Sequence, residues 1–523
     1  MQFFFDQLGF TRKGEKRVLM TGVQTENVNA VLHETISGQE IGVPVTKYPG
    51  ETWGDIVWAA DLSAVTAPGC YRLLCEGEES EEIRIGDDPY RACFAALNDM
   101  FYYARCGCDL EEEKAGIFAH PACHTGPATV WGTEEQHEVS GGWHDAGDYG
   151  RYIVPGAKSA ADLMLAYEAC PGGFGSMKLT EIREEILWEL KWMLKMQRAD
   201  GGVWHKVSCA RFCPMIMPEE EKEPLFLSPV STTATGDFCA SMAMAARFYG
   251  KTHPALSLQM KEAALRAWDF LEKHEPILFS NPEGISTGGY GDRSDADERF
   301  WAAAELAVLT GEARFVKAAA AYLENEEFRY GLGWGEMSGY ALLACMKLDE
   351  TKEKAETILK TRGREILART ERNAYGIALH DFMPWGSNMN ISNDGVQLML
   401  CAALEEGETR EKMIRAAARM LDYMLGCNPM GYSYVTGYGF RAAAHPHHRP
   451  SQARGQAVPG MLVGGPCGHR ADAKMRELVP EGTPAGKCWV DEMPSYSGNE
   501  ICIYWNSPLV WMMSLLYAAG ELQ

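Results

Sequence analysis

Short runs of apolar or alternating residues fill the first part of the chain, and turns rich in glycine, proline and charged residues separate them. Runs of this length at a spacing of roughly ten residues predict the strands of a small β-sandwich. The clearest runs are 17–21, 29–32, 56–60 and 69–75. The pattern ends at residues 87–90, which we expect to form a hinge. Asp88 precedes Pro89, and a residue that precedes proline disfavours helix. We therefore predict a β-sandwich domain over residues 1–86.

After residue 91 the apolar residues follow the i, i+3, i+4 spacing of amphipathic helices. This spacing predicts about twelve helices. They are expected near 91–104, 155–168, 181–198, 235–249, 257–273, 297–310, 312–323, 336–347, 351–362, 391–404, 409–425 and 501–519. About twelve helices can pair into six hairpins, so the sequence predicts an all-α (α/α)₆ barrel over residues 91–523. The closure is inferred from the number of helices, since no repeat of fixed period is visible.

Long loops interrupt the helices and contain most of the histidine, tryptophan and glycine clusters. They cover 106–150, 200–231, 280–296, 373–390 and 427–500. Loops of this length inside a compact domain are usually functional. A helical frame with aromatic-rich loops at one end predicts a cleft.

The chain is strongly acidic, with 49 basic and 72 acidic residues and a formal net charge of −23 at pH 7. Such a charge repels phosphate backbones and anionic lipid, so we expect neither nucleic acid nor a membrane as a partner. A neutral substrate fits best. The uncharged run 501–520 has the length of a membrane span, but Asn506, Ser507 and Pro508 interrupt it, which favours a buried helix.

The first residues lack the features of a signal peptide, since Asp6 interrupts the only apolar run and no small-residue cleavage site follows. The 16 cysteines are scattered and show no small-domain spacing. Reduced thiols in the cytoplasm are therefore expected. Removal of an export signal would produce the same sequence in a secreted protein.

The strongest local pattern is the segment 141–150, in which Asp145 and Asp148 lie three residues apart among four glycines. Glycine allows a tight turn and a close approach of ligand to backbone. Two neighbouring carboxyl groups oppose each other's ionisation, which suits acid–base catalysis. A solvated turn or a calcium loop explains the segment equally well.

Glu500 precedes the apolar run near the C-terminus and lies among Tyr496, Tyr504 and Trp505. A carboxyl group in such surroundings keeps its proton to higher pH, as a general acid must. The alternative is an ordinary helix N-terminal glutamate, favoured by the helix dipole.

A third cluster, 445–450, contains His447 and Arg449 and follows an aromatic-rich stretch. Imidazole and guanidinium groups beside aromatic rings can bind hydroxyl groups or an anion. Hydrogen-bonded loop histidines are the alternative.

Two sets of residues suggest metal ions. Cys106, Cys123, His124 and His144 are sulfur and imidazole ligands that suit tetrahedral zinc, with Cys108 as a competitor for one position and ordinary buried thiols as the alternative. Four protein ligands leave no place for an activated water, so this Zn²⁺ is expected to be structural. Asp297 and Glu298 could contribute to a Ca²⁺ site, although acidic residues at a helix N-terminus explain them almost as well. No organic cofactor is expected.

Taken together and in this order, these motifs resemble glycoside hydrolase family nine, a group of cellulases and related enzymes, over nearly the whole chain. The first family signature fits residues 433–449, and the second fits 489–507 around Glu500, with Cys502 where a Ser, Thr or Ala is usual. The catalytic-base turn of the family fits 141–148. The cysteines resemble the zinc-bearing subgroup, which favours Cys106 over Cys108. The first strands resemble the immunoglobulin-like domain that precedes the barrel in that subgroup.

The resemblance implies an inverting glycosidase. Asp148 would be the general base that activates water, Asp145 would help to hold that water, and Glu500 would protonate the leaving oxygen. His447 and Arg449 would contact the sugar at the cleavage site. Residue type alone suggests that Trp385, Trp505 and Tyr496 also bind sugar rings.

The expected substrate is a neutral β-1,4-linked or mixed-linkage glucan. Insoluble cellulose cannot enter a cell, so a cytoplasmic enzyme of this kind should cut short soluble oligosaccharides. One alternative is an exo-β-glucosaminidase acting on chitosan oligosaccharides. Two others are a hydrolase that uses the zinc directly and a non-catalytic carbohydrate-binding protein, which the presence of both Asp148 and Glu500 disfavours.

Overall fold

The computed structural model of the protein describes residues 1–176 and 179–523. Strands occupy the first 86 residues, and the first long helix begins at Arg91. The division into two separate domains at this boundary stays a prediction.

The N-terminal strands form two sheets that pack on each other. The strands are β1 (Gln2–Phe4), β2 (Phe10–Thr11), β3 (Arg17–Thr21), β4 (Ala30–Glu34), β5 (Glu40–Val43), β6 (Val45–Lys47), β7 (Trp58–Asp61), β8 (Gly69–Cys75), β9 (Glu78–Glu79) and β10 (Ile83–Gly86). One sheet has the order β1-β3-β7-β6, and the other has the order β2-β10-β8-β4-β5, with β9 on β8. Alternate residues such as Val18, Leu32, Trp58 and Leu73 point inward and form one apolar core between the sheets. This confirms the sandwich, whereas its immunoglobulin-like character stays a prediction.

The sandwich is joined to the helical part by specific polar contacts. Arg419 donates two hydrogen bonds of 2.6 Å to the carboxylate of Glu15. Lys487 forms an ion pair of 2.6 Å with Asp55. The Trp53 indole donates to the backbone oxygen of His380 over 2.9 Å. Such bonds fix the orientation of two packed bodies, because each requires a particular relative geometry.

Helices of eight or more residues number twelve in the described part of the chain, as the apolar spacing predicted. They are α1 (Arg91–Tyr103), α2 (Ile153–Ala169), α3 (Ile182–Lys195), α4 (Thr232–Tyr249), α5 (Pro254–Lys273), α6 (Ala296–Thr310), α7 (Ala313–Tyr322), α8 (Ser338–Cys345), α9 (Lys352–Thr370), α10 (Ser387–Ala402), α11 (Gly407–Met424) and α12 (Ile503–Ala519). Shorter turns are Glu112–Ala115, Gly116–Phe118, Pro171–Ser176, Pro218–Glu220, Arg449–Arg454, Ala473–Leu478, Ala485–Lys487 and Tyr496–Asn499. Among the helices so described, none is both long enough and apolar enough to cross a bilayer.

The twelve helices alternate between an inner and an outer layer. The even-numbered helices α2, α4, α6, α8, α10 and α12 are the more completely buried, and α2 packs on α4, α4 on α6, α6 on α8, α10 on α12 and α12 on α2. Helix α9 packs on both α8 and α10, and each remaining outer helix packs on an inner one. Helices that are apolar on most faces must lie inside, and those with one apolar stripe cover them. The predicted (α/α)₆ barrel is confirmed.

A small sheet that the sequence did not predict lies among the loops. Its strands are β11 (Ala128–Val130), β12 (Gln136–His137), β13 (Arg151–Tyr152), β14 (Lys206–Ser208) and β15 (Phe226–Leu227). They are arranged in the order β12-β11-β15-β14-β13. In the antiparallel pair β13–β14, Tyr152 lies opposite Lys206. This sheet ties the loops 106–150 and 200–231 together directly behind the segment that contains Asp145 and Asp148.

An ion pair lies inside the ring of inner helices. Lys158 and Asp162, both fully buried on α2, are 2.6 Å apart. The Asp162 carboxylate also accepts hydrogen bonds from Tyr340 of α8 over 2.6 Å and from Ser507 of α12 over 2.7 Å. This network therefore joins three inner helices, and it supplies the partner that the buried Lys158 ammonium needs.

We expect Asp162→Asn to destabilise the fold by about 3 kcal/mol or more, because the substitution leaves the Lys158 charge buried without a counter-charge. Tyr340→Phe, which removes one hydrogen bond from the same network, should cost only about 1 kcal/mol. Urea unfolding followed by circular dichroism measures both. Equal losses in the two variants would contradict an ionised pair in the barrel.

Candidate active site

Residues between Asp145 and Trp505, mostly from loops of the helical part, line a cavity of about 340 Å³. Asp145, Asp148 and Glu500 all line it, although Glu500 lies more than 350 residues from the other two. The rest of the lining is mostly aromatic or glycine: Ala146, Tyr152, Phe212, Gly288, Gly289, Tyr290, Trp334, Trp385, Cys502, Tyr504 and Trp505. The structure thus brings together the three carboxyl groups that the sequence singled out.

The glycine-rich turn fixes the two aspartates through its own backbone. The Asp145 N–H donates to the Gly150 oxygen over 3.0 Å, and the Gly150 N–H donates to Asp148 Oδ2 over 3.1 Å. Gly147 is required by a neighbouring segment, because a Cβ atom there would lie 2.2 Å from the backbone oxygen of His447. The turn can therefore pack against the His447 segment only with glycine at this position.

Two tyrosines that the sequence analysis missed hold the carboxyl groups. The Tyr152 hydroxyl donates to Asp148 Oδ2 over 3.2 Å. The Tyr290 hydroxyl donates to Asp145 Oδ2. Asp145 Oδ1 is buried and accepts no hydrogen bond from the described residues. Each aspartate thus has one oxygen held by a tyrosine.

Glu500 is placed by backbone pairing with two remote segments. The Gly464 N–H donates to the Glu500 oxygen over 2.9 Å, and Glu500 forms an isolated bridge with His447. Three residues after Glu500, at the first residue of α12, the Ile503 N–H donates to the Asp145 oxygen over 2.8 Å. This last bond connects the Glu500 segment directly to the aspartate turn.

The cavity favours protonated carboxyl groups, but unequally. Burial raises the pKa of Glu500 well above its ordinary value, and the negative charges of Asp148 and Asp145 add to the rise. Burial also raises the pKa of Asp148, but the Arg449 guanidinium, the Gly150 N–H and the Tyr152 hydroxyl oppose it. Glu500 is therefore the better proton donor of the pair and Asp148 the better acceptor.

His447 and Arg449 lie beside the cavity and do not belong to its lining. The Arg449 guanidinium is buried and donates to the backbone oxygens of Gly147 and Cys213. His447 Nδ1 lies 2.8 Å from the backbone oxygen of Met493. In this structure both side chains hold loops around the site, and their contact with sugar stays a prediction.

The aromatic residues named from the sequence differ in accessibility. Trp385 is 46% exposed at the cavity and packs on Tyr496, which is 37% exposed, with ring centroids 5.3 Å apart. Trp505 lines the cavity but is only 3% exposed, so most of its surface is packed against other residues of the protein. Phe212, which the sequence analysis did not name, is 51% exposed on the lining. Trp385 and Phe212 thus offer the most open ring surfaces at the cavity.

The four suggested zinc ligands form one cluster. Their ligand atoms all lie within 4.8 Å of one another. Cys106 Sγ lies 3.7 Å from His124 Nδ1 and 3.9 Å from Cys123 Sγ, which is 3.8 Å from His144 Nε2. Zinc–sulfur bonds of about 2.3 Å in a tetrahedron place the ligand atoms roughly 3.8 Å apart. The cluster therefore has the size of a tetrahedral zinc site, and it contains Cys106, not Cys108.

The surroundings of the cluster connect it to the aspartate turn. The His144 N–H donates to the Ala104 oxygen over 2.7 Å, and the Cys106 N–H donates to the Gly142 oxygen over 2.8 Å. His124 Nε2 lies 3.0 Å from a carboxylate oxygen of Glu221, the arrangement that orients metal-binding histidines. A metal ion here would fix the start of the turn that contains Asp145.

Asp297 and Glu298, the suggested calcium ligands, lie at the start of α6. Asp297 accepts a hydrogen bond from the Met337 N–H over 2.6 Å. Both carboxylate oxygens of Glu298 are buried and accept no hydrogen bond from the described residues, and the same is true of Asp237. Buried acidic oxygens without donors fit a cation, but within the described residues these groups do not form a compact ligand cluster as the zinc ligands do. The calcium site stays a prediction.

Comparison with known proteins identifies the family. The family model described as glycosyl hydrolase family 9 matches residues 90–513. The chain belongs to glycosyl hydrolase family 9. It is a glycosidase, and its substrate is a carbohydrate.

Individual proteins match over almost the full length of the chain. A cellodextrinase from Butyrivibrio fibrisolvens is 35% identical over 89% of this chain and 90% of its own sequence. The structure of a thermostable endoglucanase from Alicyclobacillus acidocaldarius has a TM-score of 0.92 and 36% identity, covering 98% of this chain and 99% of that one. A zinc-binding mutant of the family 9 endoglucanase J30 has a TM-score of 0.90 and 29% identity, covering 98% of this chain and 100% of that one.

Several site residues of this family 9 enzyme escaped the sequence analysis for an identifiable reason. Tyr152, Trp334 and Phe212 stand in no motif, and only the fold brings them to the cavity. Gly288, Gly289 and Tyr290 do stand in a glycine-rich stretch, but the sequence analysis assigned them no role. The signal that could have identified them is a pair of glycines beside an aromatic residue in a long loop.

We expect Gly147→Ala to lower hydrolysis of a soluble β-glucan by about 100-fold, because displacing the aspartate turn by even about 1 Å misplaces the reacting groups. Gly126→Ala is the matched control, since a Cβ atom at Gly126 meets nothing within 4 Å. Initial rates of reducing-sugar release measure the effect. Similar rates in both variants would show that the packing of Gly147 on the His447 segment does not matter.

Proposed function

We propose that the protein is an inverting β-glycoside hydrolase that cleaves β-1,4-linked or mixed-linkage glucan and prefers short soluble chains. The observation that carries the proposal is the presence of Asp148 and Glu500 on the wall of one cavity, where the surroundings raise the pKa of Glu500 strongly and oppose the rise at Asp148. The family membership and the name of the cellodextrinase relative support the same substrate class.

Asp148 acts as the general base. The Gly150 N–H and the Tyr152 hydroxyl both reach Oδ2, so Oδ1 is the oxygen that takes a proton from water. The Arg449 charge favours the ionised carboxylate that this step needs. Asp145, whose buried Oδ1 has no donor in the described part of the chain, orients the same water from the neighbouring position.

Glu500 acts as the general acid and gives its proton to the leaving glycosidic oxygen. Burial and the nearby negative charges raise its pKa, so it stays protonated to higher pH than an exposed glutamate. Inversion requires that the base and the acid stand far enough apart for a water to fit between the base and the sugar. The product is then the α-anomer of a β-linked substrate.

The shape and polarity of the cavity favour a short neutral substrate. Its volume of about 340 Å³ is near the lower end for ligand pockets. Trp385 and Phe212 provide apolar faces for sugar rings, and among the described residues no basic one lines the cavity.

The state of the cysteines bears on where the enzyme acts. All sixteen lie in described residues and are free, which supports a reducing cytoplasm as the place of action.

The four-ligand cluster binds zinc in a structural role. When bound, zinc supplies a rigid link among Cys106, Cys123, His124 and His144, and these four ligands leave no open position for a reacting water. The chain's own residues then carry the chemistry, and the ion fixes the first residues of the aspartate turn.

Product analysis tests the proposed reaction. On a cellodextrin series labelled at the reducing end, we expect cleavage of short chains with release of the α-anomer. NMR during the first turnovers identifies the anomer. Initial release of the β-anomer would overturn the inverting mechanism. Faster cleavage of chitosan oligosaccharides than of cellotetraose would favour the glucosaminidase alternative.

The two catalytic roles are tested by substitutions in folded protein. Asp148→Asn and Glu500→Gln should each lower kcat by roughly 10²–10⁴-fold, the usual contribution of a general base or acid. Glu492→Gln, an exposed glutamate of the same loop, is the control and should keep full activity. Unchanged hydrolysis by the Asp148 variant would remove the base assignment.

Metal analysis by mass spectrometry tests the zinc site. We expect one equivalent of zinc in the wild type and in Cys108→Ser, and loss of zinc together with a lower melting temperature in Cys106→Ser. The same measurement reports calcium. Zinc content that depends on neither cysteine would contradict the assigned ligands. Loss of activity on chelation before any loss of stability would favour a catalytic metal.

A further inference from the structure

Lys206 is a buried cation directly behind the active site and takes no part in the reaction described above. It belongs to β14 and is opposite Tyr152 of β13 in the small sheet. Its side chain is fully buried, so it must find its partners inside the protein.

Three acceptors satisfy the Lys206 ammonium, and all three come from the loop that forms one wall of the cavity. Nζ donates to Asn281 Oδ1 over 2.7 Å, to Thr287 Oγ1 over 2.9 Å and to the Gly288 oxygen. An ammonium group has three N–H donors, so its hydrogen-bonding capacity is filled. The neighbouring residue acts on the same loop, because His205 Nε2 lies 2.8 Å from the Gly289 oxygen. The loop then continues to Tyr290, which holds Asp145.

Lys206 also approaches the tyrosine that holds Asp148. Its Nζ lies 5.4 Å from the ring centroid of Tyr152 and 5.8 Å from that of Phe279. Tyr152 is confined on both sides, since a Cβ atom at Gly150 or Gly288 would lie 2.5 Å or 3.0 Å from its hydroxyl oxygen. The ring therefore keeps its hydroxyl on Asp148 as long as the Gly288 loop, which Lys206 holds, stays in place.

The charges around Asp148 show why a second cation matters. Two carboxyl groups, Asp145 and Glu500, share its cavity, and Arg449 is the cation that most lowers its pKa. Lys206 lies close to the Tyr152 ring whose hydroxyl holds Asp148, and the negative charge of Asp148 raises the pKa of Lys206. His205 is held neutral, because burial lowers its pKa to about 3. Burial lowers the pKa of Lys206 to about 8, so the ammonium is mostly charged at neutral pH.

We propose that Lys206 is a positioning residue of the active site: its ammonium holds the 287–290 loop and, with Tyr152, keeps Asp148 oriented and ionised. The inference rests on the proposed role of Asp148 as the base. An apolar side chain would fill the same space without the cost of burying a charge, so the charge itself is the feature to be tested.

The test compares pH profiles of kcat/KM on a cellodextrin for Lys206→Met, Lys206→Gln and Lys206→Arg. The acidic limb reports the base of the free enzyme. Loss of a positive charge makes the carboxylate less favourable, so its pKa rises and the acidic limb moves to higher pH, by about 0.5 unit or more. We expect this shift in the Met and Gln variants, with kcat at least about tenfold lower and KM changed less than about threefold. The Arg variant should keep the wild-type limb.

Lys195→Met is the matched control. Lys195 is a partly exposed lysine that bonds Glu138 and Ser140 just before the aspartate turn, and its loss should leave the profile unchanged. Lys206→Gln retains an N–H donor for the loop, so it replaces the Met variant if that protein fails to fold.

The outcomes separate this inference from the proposed function. A folded Met or Gln variant with the wild-type acidic limb, or with changes only in KM and melting temperature, would overturn the role of Lys206. If the Arg variant is the one variant of the three that folds, Lys206 is needed only for folding, and this outcome would also overturn the proposed role. If Asp148→Asn keeps full activity, the base assignment itself fails, whatever the Lys206 variants do.

Discussion

The active site depends on a few backbone hydrogen bonds between segments that are far apart in the sequence. The Ile503 N–H bonds the Asp145 oxygen, the His447 N–H bonds the Asn499 oxygen, and Arg449 bonds the Gly147 oxygen. The helices alone cannot place these groups, because the loops that contain them are long and would lose much conformational entropy on ordering. Direct bonds between the loops offset that loss and set the spacing of the carboxyl groups.

The same bonds create the electrostatic asymmetry of the site. Arg449 is the charge that most lowers the pKa of Asp148, whereas the negative charges of Asp148 and Asp145 raise the pKa of Glu500 more than Arg449 lowers it. Although the chain has a net charge of −23, it places a cation near the carboxylate that the proposed reaction needs ionised. In that proposal the local arrangement, not the overall charge, determines which group gives and which takes a proton.

The sequence was sufficient for the features that have a period or a strong local pattern. The twelve helices follow from apolar spacing. Glycine and aromatic neighbours made Asp145, Asp148 and Glu500 candidates, the family resemblance gave them their expected roles, and the structure places all three on one cavity. The sheet β11–β15 was missed because strands of two or three residues have no period to detect. Tyr152 and Lys206 were missed for a related reason, since only the pairing of β13 with β14 brings them together.

The N-terminal sandwich also contributes to the site, through one side chain. Gln7 donates to the Gly431 oxygen over 3.0 Å and accepts from the Arg441 N–H over 2.9 Å. Arg441 in turn accepts a bond of 2.8 Å from the Ser433 N–H, so both ends of this loop are held against the sandwich. The chain then runs directly to His447, which pairs with Glu500. These bonds hold the start of the segment that leads to His447 against the sandwich, so the sandwich helps to order the loop that pairs with Glu500.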